Sequence, residues 1–207
     1  MQWILKGIEK FQKEVFPRHR ARFEALATHQ APKLLLITCA DSRIDPNLVT
    51  QTRPGDLFFV RNAGNIVPPG AASGSEAATI EYGIRVLGIR DVVVCGHTDC
   101  GAMKGLLQQG ALEELPAVRR WLEPAAPALR VLERRSLAPD DPEALRAVTE
   151  ENVLVQLDHL RTHPAVAETD VRLYGCIYEI HTGTFLVHDR ARGAFVPLTD
   201  ADLDVEE

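Results

Sequence analysis

The chain has 207 residues, 45% of them hydrophobic and 25% charged, with a formal net charge of −6. This is the profile of one soluble globular domain with its own core, and the acidic excess argues against a nucleic-acid binder, which needs a basic face. No apolar run approaches the roughly 18 residues a membrane helix requires. The charges Glu9, Lys10 and Lys13 interrupt the N-terminus before a secretory signal can form, so the expected location is the cytoplasm.

In chain order, Ile4, Ile8, Phe11 and Val15 recur at helical spacing over residues 2–16, and Phe23 with Leu26 suggests a second short helix. The apolar face of such an arm must be buried on its own domain or on a partner subunit. Residues 33–38 form a near-continuous apolar run, the pattern of a strand covered on both faces. Asp45 followed by Pro46 reads as a helix N-cap and first helical residue. Residues 57–60 make a second strand, and 64–74 a Gly/Pro-rich loop. Ala77, Ile80, Ile84 and Leu87 form a helical stripe ended by Gly88.

Residues 91–95 are a third buried strand, and 98–109 a loop turning into a helix. Pro116 can start a further helix, which Pro124 and Pro127 break or kink. Val153, Leu157 and Leu160 mark another helix and 171–178 a fourth strand. Thr184 to Val187 follows closely enough for a hairpin edge strand. Residues 200–207 read as a solvated acidic tail. Buried strands alternating with helices imply an α/β fold: a mainly parallel sheet flanked by helices, with an N-terminal helical arm and an edge strand.

Of the four cysteines, Cys95 and Cys176 sit in apolar runs and read as small buried hydrophobes. Cys39 and Cys100 have polar neighbours and need another explanation. Cys39 follows the first strand, while His97 and Cys100 follow the third. In an open parallel sheet, ligand sites lie beyond the carboxyl ends of strands, where these residues can converge. Two thiolates and one imidazole suit zinc, and three protein ligands rather than four is the pattern of a catalytic zinc with an open position. A closed structural site with Asp41 as fourth ligand, or no metal at all, are the alternatives. A zinc deaminase would show His-x-Glu and Pro-Cys-x-x-Cys, and a thioredoxin-like site Cys-x-x-Cys; the chain has none of these.

Asp41 and Arg43 are close enough to pair, the guanidinium offering a planar fork to the carboxylate. Such a pair is either a surface ion pair of little consequence or a device that keeps Asp41 out of the open metal position. In the second case Asp41 becomes an acceptor for a water proton.

The segment Cys39-Ala40-Asp41-Ser42-Arg43, taken with His97-Thr98-Asp99-Cys100-Gly101, resembles the paired signature of β-class carbonic anhydrases. The likeness extends through Arg53-Pro54-Gly55-Asp56, residues 60–65, Ile80-Glu81-Tyr82 and residues 101–105. It covers most of residues 28–190 and resembles the plant and cyanobacterial branch.

The resemblance implies reversible hydration of CO2 to bicarbonate at a Zn2+ held by Cys39, His97 and Cys100, with Asp41 and Arg43 catalytic. It implies that Gln30, Phe58 and Tyr82 line the substrate pocket at a dimer interface. It also implies one domain over 1–207, with residues 1–28 a dimerisation arm and 29–207 the catalytic core, assembled as a homodimer or a dimer of dimers. His181 is a candidate proton shuttle, although a solvent-facing histidine fits it as well. A hydrolase of carbon disulfide or carbonyl sulfide, or a non-enzymatic zinc- or bicarbonate-binding module, are the competing readings. Relatives regulated by bicarbonate carry a Trp three residues before the first cysteine ligand. Here that residue is Leu36, although Arg61 is retained, and Cys176 stands where relatives often place a Trp.

Overall fold

The structure is a computed structural model, described here for residues 1–70 and 73–198; the acidic tail at 200–207 lies outside the described residues. Helices α1 (Gln2–Lys10) and α2 (Phe16–Leu26) are joined by a π-helical turn, Phe11–Val15, into one continuous arm. Two separate helices were expected, and the physical reason for the difference lies at Pro17. Its ring removes one helical donor, and the backbone widens there, Phe16 N–H donating to Phe11 O five residues back. The rings of Phe11, Phe16 and Phe23 pack together across the wide turn, with centroids 5.4–6.1 Å apart. The base of the arm is anchored: Arg22 donates to Pro54 O at 2.8 Å and to Asp56 Oδ1 at 2.6 Å. Leu26 lies over Gly55, whose φ of 91° only glycine adopts easily; a Cβ there would meet Leu26 at 2.6 Å. Farther out, Ile4, Ile8, Phe11 and Val15 are exposed, so this chain does not cover the apolar stripe itself.

The core is a six-stranded sheet: β1 (Leu34–Cys39), β2 (Leu57–Asn62), β3 (Asp91–His97), β4 (Arg172–Glu179), β5 (Thr184–Asp189) and β6 (Ala194–Pro197). The order is β2-β1-β3-β4-β5-β6, with the first four strands in parallel pairing and β5 and β6 antiparallel at one edge. The α/β sheet, the helical arm and the hairpin edge strand agree with the sequence reading; β6 is an addition to it. Around the sheet run α3 (Pro46–Thr50), α4 (Ser75–Glu81), α5 (Gly101–Leu107), α6 (Pro116–Leu122), α7 (Arg130–Arg135), α8 (Ala144–Arg161) and α9 (Pro164–Ala167). Asp45 caps α3, its carboxylate accepting Leu48 N–H at 3.2 Å. The stripe from Ala77 to Leu87 becomes α4 plus a π-helical turn over Tyr82–Val86, and Gly88 ends it at φ 71°. The expected break at Pro124 and Pro127 is a 3-10 segment, Glu123–Leu129, between α6 and α7.

The two faces of the sheet differ. On one, Leu35, Ile37, Val92 and Val94 pack against Ile80, Ile84, Val153, Leu157 and Leu160, all buried. On the other, Leu36, Cys95 and Cys176 are buried, but Leu34, Phe59, Val93 and Phe185 are only partly covered. Cys95 and Cys176 are register partners on β3 and β4, small apolar fillers of that face. The chain passes from β1 outward to β2 and then crosses to β3 on the other side. The carboxyl ends of β1 and β3 therefore flank the point where strand order reverses, the position where α/β sheets place ligands.

Candidate metal centre

Register brings the sequence candidates together. Thr38 on β1 pairs with Cys95 on β3, so Cys39 and His97, each the last residue of its strand, end side by side. Three residues later the chain returns with Cys100, directly before α5. That tight return needs a left-handed residue, and Asp99 takes it with φ 61°. One ligand atom from each of Cys39, His97 and Cys100 lies within 4.8 Å of the other two, and all three residues are buried.

The imidazole is oriented for coordination. His97 Nδ1 stands 2.9 Å from Thr98 O, and a carbonyl can only accept, so the proton sits on Nδ1 and Nε2 keeps its lone pair. Nε2 is buried without a hydrogen-bond partner, one of two such side-chain atoms among the described residues, the other being Asn65 Nδ2. An orphaned buried acceptor beside two sulfurs fits a cation.

The sulfurs fit it too. The Cys39 thiol is lowered to about 4, chiefly by its hydrogen bond with Cys100 and also by that with Gly64 N–H at 3.4 Å. Against that thiolate the Cys100 thiol is pushed well above its ordinary value, although the Met103 and Ala102 backbone amides that open α5 pull the other way. Two neighbouring thiolates repel unless a divalent cation lies between them. The three residues present therefore suit a thiophilic metal such as zinc.

Asp41 and Arg43 stand at the mouth of this group. Arg43 Nε donates to Asp41 Oδ1 at 2.9 Å and Nη2 to Oδ2 at 2.8 Å, a bidentate fork, with Arg43 N–H adding a third bond to Oδ1. Those bonds, the side-chain ones foremost, hold the Asp41 carboxyl well below the usual carboxylate range. Asp41 Oδ2 is 3.8 Å from His97 Nε2. Arg43 is fixed from its other side by Asp99, which accepts Nη1 at 3.0 Å on its carboxylate and Nη2 at 3.2 Å on its carbonyl, and which also pairs with Lys104. Sequence reasoning passed over Asp99 and Lys104, although Asp99 lies inside the His97–Cys100 segment and Lys104 follows it by five positions.

Arg61, read from the sequence as part of an anion pocket, turns inward. Its guanidinium donates to the carbonyls of Cys39, Asp41 and Ile44 at 3.1–3.3 Å and so holds the loop carrying the Asp–Arg pair. Beside it lies an open cleft of about 590 Å³ whose lining includes Ser42, Ile44, Phe59 and Arg61.

Phe58, Tyr82 and Gln30 lie apart from the metal group within one chain. Phe58 pairs in register with Leu35, four residues before the Asn62–Cys39 pair, about 13 Å back along the strand. Tyr82 is exposed, with its ring 6.2 Å from that of Phe58. Gln30 is exposed in the segment ahead of β1, and His181 is exposed in the turn between β4 and β5.

A buried site of two sulfurs and one imidazole, guarded by a bidentate Asp–Arg pair at the switch point of a parallel sheet, defines a metal-binding class of α/β protein. A family profile described as carbonic anhydrase matches residues 34–185. A carbonic anhydrase of Pseudomonas aeruginosa is 43% identical over 205 residues, covering 97% of this chain and 93% of that protein. One from Synechocystis sp. is 43% identical over 202 residues, 95% of this chain and 74% of that protein. Among solved structures, the β-carbonic anhydrase CcaA superposes with a TM-score of 0.92 at 44% identity, covering 96% of this chain and 92% of that one. A tetrameric β-carbonic anhydrase of Sordaria macrospora superposes at 0.81 with 25% identity, over 94% and 98% of the two chains. The chain belongs to the carbonic anhydrase family, in its β class.

Proposed function

We propose that this protein is a zinc-dependent carbonic anhydrase, hydrating CO2 reversibly to bicarbonate and a proton. The observation that carries this reading is the Asp41–Arg43 fork: a carboxylate 3.8 Å from a metal-ligand nitrogen yet bound at both oxygens by a guanidinium. A structural metal site has no use for such a restraint, whereas a catalytic one needs its open position kept free.

Cys39, His97 and Cys100 would hold the zinc. When bound, zinc lowers the pKa of water and supplies a hydroxide nucleophile near neutral pH. Arg43 keeps Asp41 from rotating onto the metal. Asp41, ionised at neutral pH by that same contact, accepts a hydrogen bond at Oδ2 and orients the attacking group without retaining its proton. CO2 is small and nonpolar and offers little binding energy, so the rate rests on placement. Phe58 and Tyr82 supply an apolar wall for it and the Gln30 amide a donor to a bicarbonate oxygen. Because these three lie apart from the Cys–His–Cys group of their own chain, this reading has them serve the site of a second copy.

The arm, residues 1–28, would complete that homodimer by laying its exposed stripe on the partner, with 29–207 as the catalytic core and pairs of dimers as a further assembly. A cytoplasmic setting accords with four free cysteines, since reducing compartments keep thiols unpaired. Among the described residues no helix is long and apolar enough to cross a membrane.

Stopped-flow CO2 hydration by the purified zinc-loaded protein, run beside carbon disulfide and carbonyl sulfide, tests the reading. CO2 turnover far above the two sulfur analogues is expected. Turnover of a sulfur analogue alone, or of none of the three, would overturn it.

A further inference from the structure

Helix α8 buries two side-chain amides in the core, Asn152 at 1% exposure and Gln156 at 0%. Buried amides are costly unless fully hydrogen-bonded. These two are bonded in a chain that has only one possible direction. Val67 N–H can only donate, so the atom it meets at 2.8 Å is Gln156 Oε1. Gln156 therefore presents Nε2 to Asn152 Oδ1 at 2.8 Å, and Asn152 presents Nδ2 to Gly64 O at 3.1 Å. Gly64 in turn donates its own N–H to Cys39 Sγ at 3.4 Å. The orientation of each amide is thus fixed by a backbone donor at one end and a backbone acceptor at the other.

Gly64 is held from every side. Its φ is +83°, and a Cβ on it would meet Ala102 at 3.0 Å and Met103 at 3.3 Å, both on the helix that follows Cys100. With its carbonyl fixed by Asn152 and its backbone in the left-handed region, the direction of its N–H is set. That N–H points at a sulfur of the metal group. A donor on a thiolate draws charge from it and makes it a weaker ligand to a cation.

We propose that Asn152 and Gln156 are positioning residues of the metal centre: through Gly64 they aim a backbone N–H at Cys39 Sγ and so set how strongly that sulfur donates to the metal. The assignment rests on the Cys39–His97–Cys100 site described above. It gives a role to two buried polar groups that catalysis does not otherwise use.

The test uses the cobalt-substituted holoenzyme and compares Asn152→Leu with Leu157→Ala, a cavity-forming change on the same helix whose side chain takes no part in these hydrogen bonds. Asn152→Leu is expected to move the sulfur-to-Co(II) charge-transfer band to lower energy, because Cys39 becomes the stronger donor. Zinc should also be held more tightly against a competing chelator, because a thiolate relieved of its donor is the stronger ligand. Leu157→Ala is expected to lower the melting temperature while leaving band and retention as in the wild type. If Asn152→Leu does not fold, Gln156→Met carries the test, since it keeps the Asn152 side chain but releases its orientation; a smaller shift of the same sign is expected. A folded variant with wild-type band and retention would overturn the proposal, and so would an equal shift in Leu157→Ala. A wild-type protein that takes up neither cobalt nor zinc would instead overturn the site itself, which separates the two failures.

Discussion

Asp41 Oδ2 lies 3.8 Å from His97 Nε2 while Arg43 Nη2 holds that same oxygen at 2.8 Å. One carboxylate oxygen is shared between a nitrogen of the candidate metal group and a guanidinium, and the guanidinium has the hydrogen bond. Replacing Arg43 with Ala frees Asp41 to act as a fourth ligand, because a carboxylate is a competent zinc ligand. Zinc should remain at wild-type stoichiometry while CO2 hydration falls by roughly a hundredfold or more, the scale of losing a preorganised electrostatic group. Metal analysis with X-ray absorption of the variant checks this; an active variant whose metal shell has gained no carboxylate oxygen would refute it.

The same pair has a pH signature in stability. Asp41 has its folded-state pKa depressed below an unfolded value of about 3.9. Its contribution is therefore fully present above that unfolded value and is lost as pH falls through the lower folded-state one. Thermal unfolding of the wild type should show this loss on the acid side, and Arg43→Ala should lack that part of it. Identical acid limbs in the two proteins would count against the coupling.

The arm should behave as an interface. Ile4, Ile8, Phe11 and Val15 are exposed in the single chain, and one face of the sheet is only partly covered around Leu36, Cys95 and Cys176. Deleting residues 1–16 should weaken dimerisation and activity together if Gln30, Phe58 and Tyr82 serve the partner's site. Sedimentation velocity with a hydration assay decides it, and a fully active monomer would contradict the arrangement.

Regulation by bicarbonate should be absent. Leu36 is buried between β2 and β3 neighbours and offers no donor, and the Arg61 guanidinium is already engaged by three backbone carbonyls. An anion buried there would lack its donors, at a cost the remaining groups do not offset. Hydration measured from about pH 6 to 9 should follow one apparent titration, with or without added bicarbonate. Asp41 contributes nothing to that profile, since Arg43 keeps it ionised throughout. A steep cooperative loss at low pH, sharpened by bicarbonate, would show that the cleft beside Arg61 does bind the anion.

Much of this was legible in the sequence. Continuous apolar runs marked the buried strands, and the placement of Cys39, His97 and Cys100 at strand ends marked a convergence that the β1–β3 register carries out. Asp45-Pro46 was readable as a cap because capping is local. The remainder depends on contacts distant in sequence. The inward turn of Arg61 reaches back 17 to 22 residues, and Asn152 and Gln156 meet residues 64 and 67 almost ninety positions away. At a spacing of four, two amides on a helix read as a solvated face, and the first half of α8 was missed because its buried positions include Ala144, Ala147, Thr149 and Asn152 rather than an apolar stripe. The stripe on the arm was visible, but a single chain does not contain the surface that covers it.

On the proposed function, Cys39, His97 and Cys100 hold a catalytic zinc. Metal-free protein prepared with a chelator and titrated with zinc, with CO2 hydration followed at each addition, tests it most directly. Activity should rise from near zero and level off at one zinc per chain, and Cys39→Ser, His97→Ala and Cys100→Ser should each fail to recover it. Full activity without zinc, or recovery of activity in all three variants, would contradict the account.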